Sequence, residues 1–115
     1  MIIKSSNITI NVSDLDKSIQ FYEGLGLTLA NRWGNYYAQI TSPGVTIGLH
    51  PTDKTHLVGN SGNISIGFSI DRIEDAKAQL DQLKIAYRER TEEGGQFLHF
   101  EDPDGTACYY IHSQW

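Results

Sequence analysis

The chain has 115 residues, 39% of them hydrophobic and 20% charged, with a formal net charge of −5. That is enough for one domain with a buried core, and the acidic balance argues against nucleic acid or an anionic membrane surface as a partner. No apolar run approaches the ~18 residues of a membrane span, Met1-Ile2-Ile3-Lys4-Ser5 lacks a signal-peptide pattern, and the lone Cys108 rules out an intramolecular disulfide framework and a cysteine-based zinc site.

Asn7-Ile8-Thr9-Ile10-Asn11-Val12 alternates strictly, so Ile8, Ile10 and Val12 face one way and Asn7, Thr9 and Asn11 the other. Ser13 or Asp14 caps the helix that follows. Its stripe is Leu15, Ile19, Tyr22 and Leu25, and Gly24 and Gly26 bracket its end. Leu27 to Arg32 reads as a strand, Trp33-Gly34-Asn35 as a tight connection, Tyr36 to Thr41 as a third strand, Ser42-Pro43-Gly44 as a turn and Val45 to His50 as a fourth strand. Pro51 to Gly62 is polar and reads as a linker.

Asn63-Ile64-Ser65-Ile66-Gly67-Phe68 then repeats the opening strand. Asp71 and Glu74 have capping-box spacing, and Ile73, Ala76, Leu80 and Leu83 form the next stripe. Ile85 to Thr91, Gln96 to Glu101 and Thr106 to His112 supply three more strands. Asp102-Pro103-Asp104-Gly105 has the residues of a type I turn, so the last two strands form a hairpin with Phe97, His99, Glu101, Ala107, Tyr109 and Ile111 on one face. The halves share the order β-α-β-β-β at a period of roughly 56 to 57 residues. The predicted organisation is a single domain, 1–115, with module one at 5–50, a linker at 51–62 and module two at 63–113. The predicted class is α+β: tandem βαβββ modules in a curved mixed sheet, a half-barrel around a central cavity, with helices outside.

Asp14-Leu15-Asp16-Lys17-Ser18-Ile19-Gln20-Phe21-Tyr22, the exit Gly24-Leu25-Gly26-Leu27 and Phe100-Glu101-Asp102-Pro103-Asp104-Gly105 together resemble the vicinal oxygen chelate superfamily, which includes glyoxalase I, extradiol dioxygenases, and fosfomycin- and bleomycin-resistance proteins. The resemblance spans essentially the whole chain. It implies the fold strongly and the activity weakly, because one fold hosts many functions. Metal enzymes of the family hold one ligand on each of four strands. Carried over, those places are Asn7, Gly48, Ser65 and Tyr109, none of which is an imidazole or carboxylate. No metal or other cofactor is therefore expected. A shift of two residues on the fourth strand would offer His50, a single imidazole.

By parity and by resemblance, the cavity face collects Asn7, Thr9, Asn11, Tyr37, Gln39, Gly48, His50, Ser65, Gly67, Phe97, His99 and Tyr109. Of these, Asn7, Thr9, Tyr37, Gln39, His50, Ser65, Phe97, His99 and Tyr109 are the candidate ligand-binding residues. The face mixes aromatic walls with neutral hydrogen-bonding groups and holds no Lys or Arg, so a neutral or cationic small organic ligand is expected. Tyr109 either fills the place of a metal or works on a ligand. His50 and His99 are either hydrogen-bonded strand residues or functional ones. Trp33 closes the pocket, meets a partner subunit or packs locally. His56 reads as exposed, His112 as packed under a helix or at an interface, and Cys108 as a strand packing residue. The leading expectation is a metal-free binding protein of the bleomycin-resistance kind. The alternatives are a lyase or isomerase of the glyoxalase I type, using His50 or His99 with Glu101 for proton transfer or a displaced metal, and a structural or regulatory module with a collapsed cavity. A cytoplasmic homodimer is expected, with a small-molecule ligand.

Overall fold

The computed structural model describes residues 2–59, 61–92 and 95–113. Met1 and Asn60, which belong to the N-terminal and linker readings, lie outside the described residues. The chain divides into two compact units, Met1–Gly59 and Asn60–Trp115.

Unit one runs β1 (Ile8–Val12), α1 (Leu15–Leu25), β2 (Thr28–Trp33), β3 (Tyr37–Ser42) and β4 (Val45–Pro51). Its sheet order is β1-β4-β3-β2, with β1 parallel to β4 and the other pairs antiparallel. Unit two runs β5 (Ser65–Ser69), α2 (Ile73–Gln82), β6 (Arg88–Glu92), β7 (Gly95–Glu101) and β8 (Ala107–Ser113). Its order, β5-β8-β7-β6, repeats the first, again with one parallel pair. The class is α+β, and the duplicated β-α-β-β-β order is present as expected. The predicted linker contains a 3-10 turn at Thr55–Leu57, and Pro51 closes β4.

Local chemistry explains α1. The Asp14 carboxylate accepts from the Lys17 backbone N–H at 3.1 Å, which satisfies one orphan donor of the first turn. Gly26 ends the helix at φ 113°, left-handed space that a side chain resists. Leu15, Ile19, Tyr22 and Leu25 are all buried, as their spacing requires.

Three details depart from expectation. The cap of α2 is Arg72, which makes no side-chain cap bond, so Asp71 falls one residue too early and the Asp71–Glu74 box does not form. Leu83 lies beyond the last turn and is 39% exposed. Ile8 and Ile64, at or just before the leading ends of β1 and β5, remain 56% and 47% exposed. The reason lies in helix placement: α1 packs chiefly over β3, β2 and β4, and α2 over β8, so the edge strands β1 and β5 lie beside the main helix contacts of their sheets.

The hairpin between β7 and β8 is held by its first turn residue. Gly105 N–H donates to the Asp102 carbonyl at 3.0 Å. The buried Asp102 carboxylate accepts from the backbone N–H groups of Asp104 and Thr106 at 2.9 and 2.8 Å. Glu101 therefore stands opposite Ala107, His99 opposite Tyr109, and Phe97 opposite Ile111. This register sets the geometry of the second candidate face.

Candidate functional site

In unit one, the helix takes the face carrying Ile10, Val12, Ala38, Ile40, Ile47 and Leu49, all buried. Strand parity leaves Asn7, Thr9, Tyr37, Gln39, Gly48 and His50 for the other face. Thr9 and Gln39 flank Gly48 on its two neighbouring strands. The Tyr37 hydroxyl lies over Gly48. It accepts from Asn7 Nδ2 at 3.0 Å and is 3.0 Å from Thr9 Oγ1, to which Asn7 Nδ2 also donates at 3.2 Å. Residue 48 must be small, because a Cβ there would overlap the Tyr37 hydroxyl and come within 2.6 Å of Thr9 Oγ1. Asn31 Nδ2 donates to Gln39 Oε1 at 3.2 Å, and Trp33 tilts against Tyr37 with ring centroids 5.6 Å apart. His50 is exposed and outside this cluster.

In unit two, Leu98, Phe100, Cys108 and Tyr110 are buried on the helix side. There the Tyr110 phenol donates to Gln79 Oε1 at 2.6 Å, and burial pushes its pKa up to about 12. The opposite face has two cross-strand rows. One is Arg88, His99, Tyr109 and Gly67; the other is Arg90, Phe97, Ile111 and Ser69. Phe97 and His99 stack at 8°, and Tyr109 tilts against both at centroid distances of 6.1 and 6.0 Å. The Arg90 guanidinium lies 4.5 Å over the Phe97 ring centre, ion-pairs with Glu92, and donates through Nε to His99 Nε2 at 3.2 Å. The Tyr109 ring covers Gly67, whose missing side chain makes room for it. Glu101 is exposed in the row with Ala107, while Ser65 pairs with Ala107 from β5.

His99 is held neutral. Burial lowers its proton affinity first, and the positive charges of Arg90 and Arg88 lower it further. With Nε2 accepting from Arg90, the ring proton belongs on Nδ1. In an NMR titration, His99 is expected to change charge below the ordinary 6.5, and Arg90→Gln to move that midpoint upward. As pH falls below 6.5 the unfolded chain takes this proton first, so His99 removes stability until the folded midpoint is passed. A midpoint above 6.5 would contradict this geometry.

The arginines are what the sequence reading missed. It found no cation on the face, yet β6 places Arg88 and Arg90 there. Arg-Glu-Arg-Thr-Glu has no apolar alternation to show which residues face in. Only the pairing of Arg90 with Phe97 decides it.

Residues 4–108 match the model of the Glyoxalase/Bleomycin resistance protein/Dioxygenase superfamily. The chain belongs to that superfamily. A relative from Bacillus subtilis (strain 168), described as a probable trivalent organoarsenical cleaving enzyme, is 29% identical over 98% of this chain and 70% of its own length. Two solved structures show the same superfamily fold. The genomically encoded fosfomycin resistance protein from Listeria monocytogenes has a TM-score of 0.80 and 21% identity, over 99% of this chain and 96% of its own. An antibiotic binding protein from a Streptomyces species has a TM-score of 0.78 and 23% identity, over 99% of both chains.

The superfamily's metal enzymes call for a divalent ion, and the residues here do not fit one. At the four corresponding places stand an amide committed to Tyr37 and Thr9, a glycine roofed by a phenol, a serine, and a tyrosine lying on Gly67. Among the described residues, no three His, Cys, Asp or Glu side chains gather to hold an ion. Also among them, no helix is long and apolar enough to cross a membrane.

Proposed function

We propose that this superfamily member binds a small organic molecule on the helix-free faces of its sheets, without a metal. The observation that carries the reading is the neutral cluster of Asn7, Thr9 and Tyr37 over Gly48, where the metal enzymes need strong donors. In unit two, Phe97, His99 and Tyr109 form an aromatic surface that carries the polar His99 ring, and directed polar groups among aromatic rings are the usual make-up of a ligand site. The candidate contacts are Asn7, Thr9, Tyr37, Gln39, Ser65, Phe97, His99 and Tyr109, with His50 outside the hydrogen-bonded cluster. The antibiotic-binding description of the Streptomyces neighbour is in keeping with this chemistry. A thermal-shift screen of aromatic and glycopeptide antibiotics tests the reading. Saturating ligand at about 100 times its Kd is expected to add about 2.7 kcal/mol of stability; no shift with any compound at high concentration counts against it.

A second reading rests on the Bacillus subtilis relative, and makes the chain a lyase. Trivalent arsenic is thiophilic and soft thiolates are its natural partners, whereas Cys108 is buried with its Sγ directed to the Thr106 carbonyl at 3.6 Å. That chemistry favours binding over cleavage for this chain. Assembly as a cytoplasmic homodimer belongs to the same proposal, since each sheet leaves edge strands to pair; a monomer by light scattering would contradict the dimer.

A further inference from the structure

We infer that the helix-free face of unit two takes an aromatic molecule carrying a carboxylate, with Arg88 and the His99 ring receiving the anion and Phe97 and Tyr109 the ring. The inference rests on the binding function proposed above and specifies its ligand. Arg90 is committed: its guanidinium is shared among Glu92, the Phe97 face and His99 Nε2. Arg88, directly across from His99, is exposed and ion-pairs with none of the described residues. Its fork is therefore available for a bidentate oxyanion. The bond from Arg90 fixes His99 with its proton on Nδ1, so a neutral donor stands beside the cation in the same row. Tyr109 follows His99 in that row, and Phe97 stacks on His99. A guanidinium, an N–H donor and two aromatic rings thus share one surface.

The face carries acids as well. Glu92 pairs with Arg90 and Glu101 lies one row further along beside Ala107, while Glu89, across from Leu98 on the helix side, pairs with Lys77 of α2. The net charge of −5 does not override the local fork, because screening limits distant charges to about 8 Å at physiological ionic strength. The plain alternative is that Arg88 only keeps an edge strand from pairing with other chains, as edge charges often do.

Calorimetric titration with naphthoate, and with naphthamide as its neutral counterpart, separates these readings. Naphthoate is expected to bind about tenfold more tightly than naphthamide. Arg88→Gln should erase that preference, Arg88→Lys should keep part of it, and added salt should shrink it. Equal binding of the two probes, or a preference that survives Arg88→Gln in a variant with unchanged circular dichroism, overturns the carboxylate inference and leaves the binding function standing. Absence of heat with either probe at millimolar concentration overturns this inference; the binding function falls only if the thermal-shift screen also shows no shift with any compound.

Discussion

Leu49→Ala is expected to cost about 2–5 kcal/mol of folding free energy, read from denaturant unfolding. Leu49 is fully buried on β4, with Ile10 of β1 and Ala38 of β3 as its cross-strand partners, both buried. Removing its branched end deletes apolar burial and leaves a space that close-packed neighbours only partly fill. Against a total stability of about 5–15 kcal/mol, the loss is large enough to leave part of the chain unfolded at growth temperature. Ile8→Ala is the control. Ile8 lies two residues before Ile10 on the same strand but is 56% exposed, so its truncation should stay within about 0.5 kcal/mol. Equal costs at the two positions would mean that the sheet is not covered as described.

Gly67→Ala is expected to destabilise by about 1–3 kcal/mol. All three atoms nearest the added methyl belong to the Tyr109 side chain, so the ring has to leave its place. In a Tyr109→Ala background the sign should reverse. A strand glycine costs about 0.5–1 kcal/mol relative to alanine, and the Tyr109 atoms that meet the methyl are then gone. A double-mutant cycle measures the coupling. The same cost in both backgrounds would show that Tyr109 does not lie over Gly67. Displacing Tyr109 also breaks the aromatic surface with Phe97 and His99, so Gly67→Ala should weaken ligand binding along with stability.

Most of the architecture was legible because its signals are local. The stripe Leu15, Ile19, Tyr22 and Leu25 marks one helix face, and Asp102-Pro103-Asp104-Gly105 marks a turn whose register carries Phe97, His99 and Tyr109 to one side. Alternation alone leaves the facing of Tyr37 and Gln39 open, since Tyr36, Ala38 and Ile40 make the more apolar set. The sheet resolves them: Ala38 and Ile40 are fully buried under α1, while Tyr36 lies in the preceding turn, 82% exposed. What stayed hidden depends on packing across strands. Ile8 and Ile64 read as core because alternation cannot tell how far a helix reaches. Asp71 read as a cap because capping-box spacing cannot tell where the first turn begins. Arg88 and Arg90 went unplaced because a wholly polar edge strand takes its facing from its neighbour β7. That last omission bears most on function, since it places two cations beside the aromatic surface of unit two.

At the places carried over by resemblance from the superfamily's metal enzymes stand Asn7, Gly48, Ser65 and Tyr109, and the proposed binding does not depend on an ion. Elemental analysis of protein purified from metal-supplemented medium, combined with titration of one binding compound before and after chelation, tests it most directly. Well under one zinc, nickel, iron or manganese per chain, and the same affinity on both sides of the chelation step, are expected. About one ion per chain, lost together with binding, would contradict it.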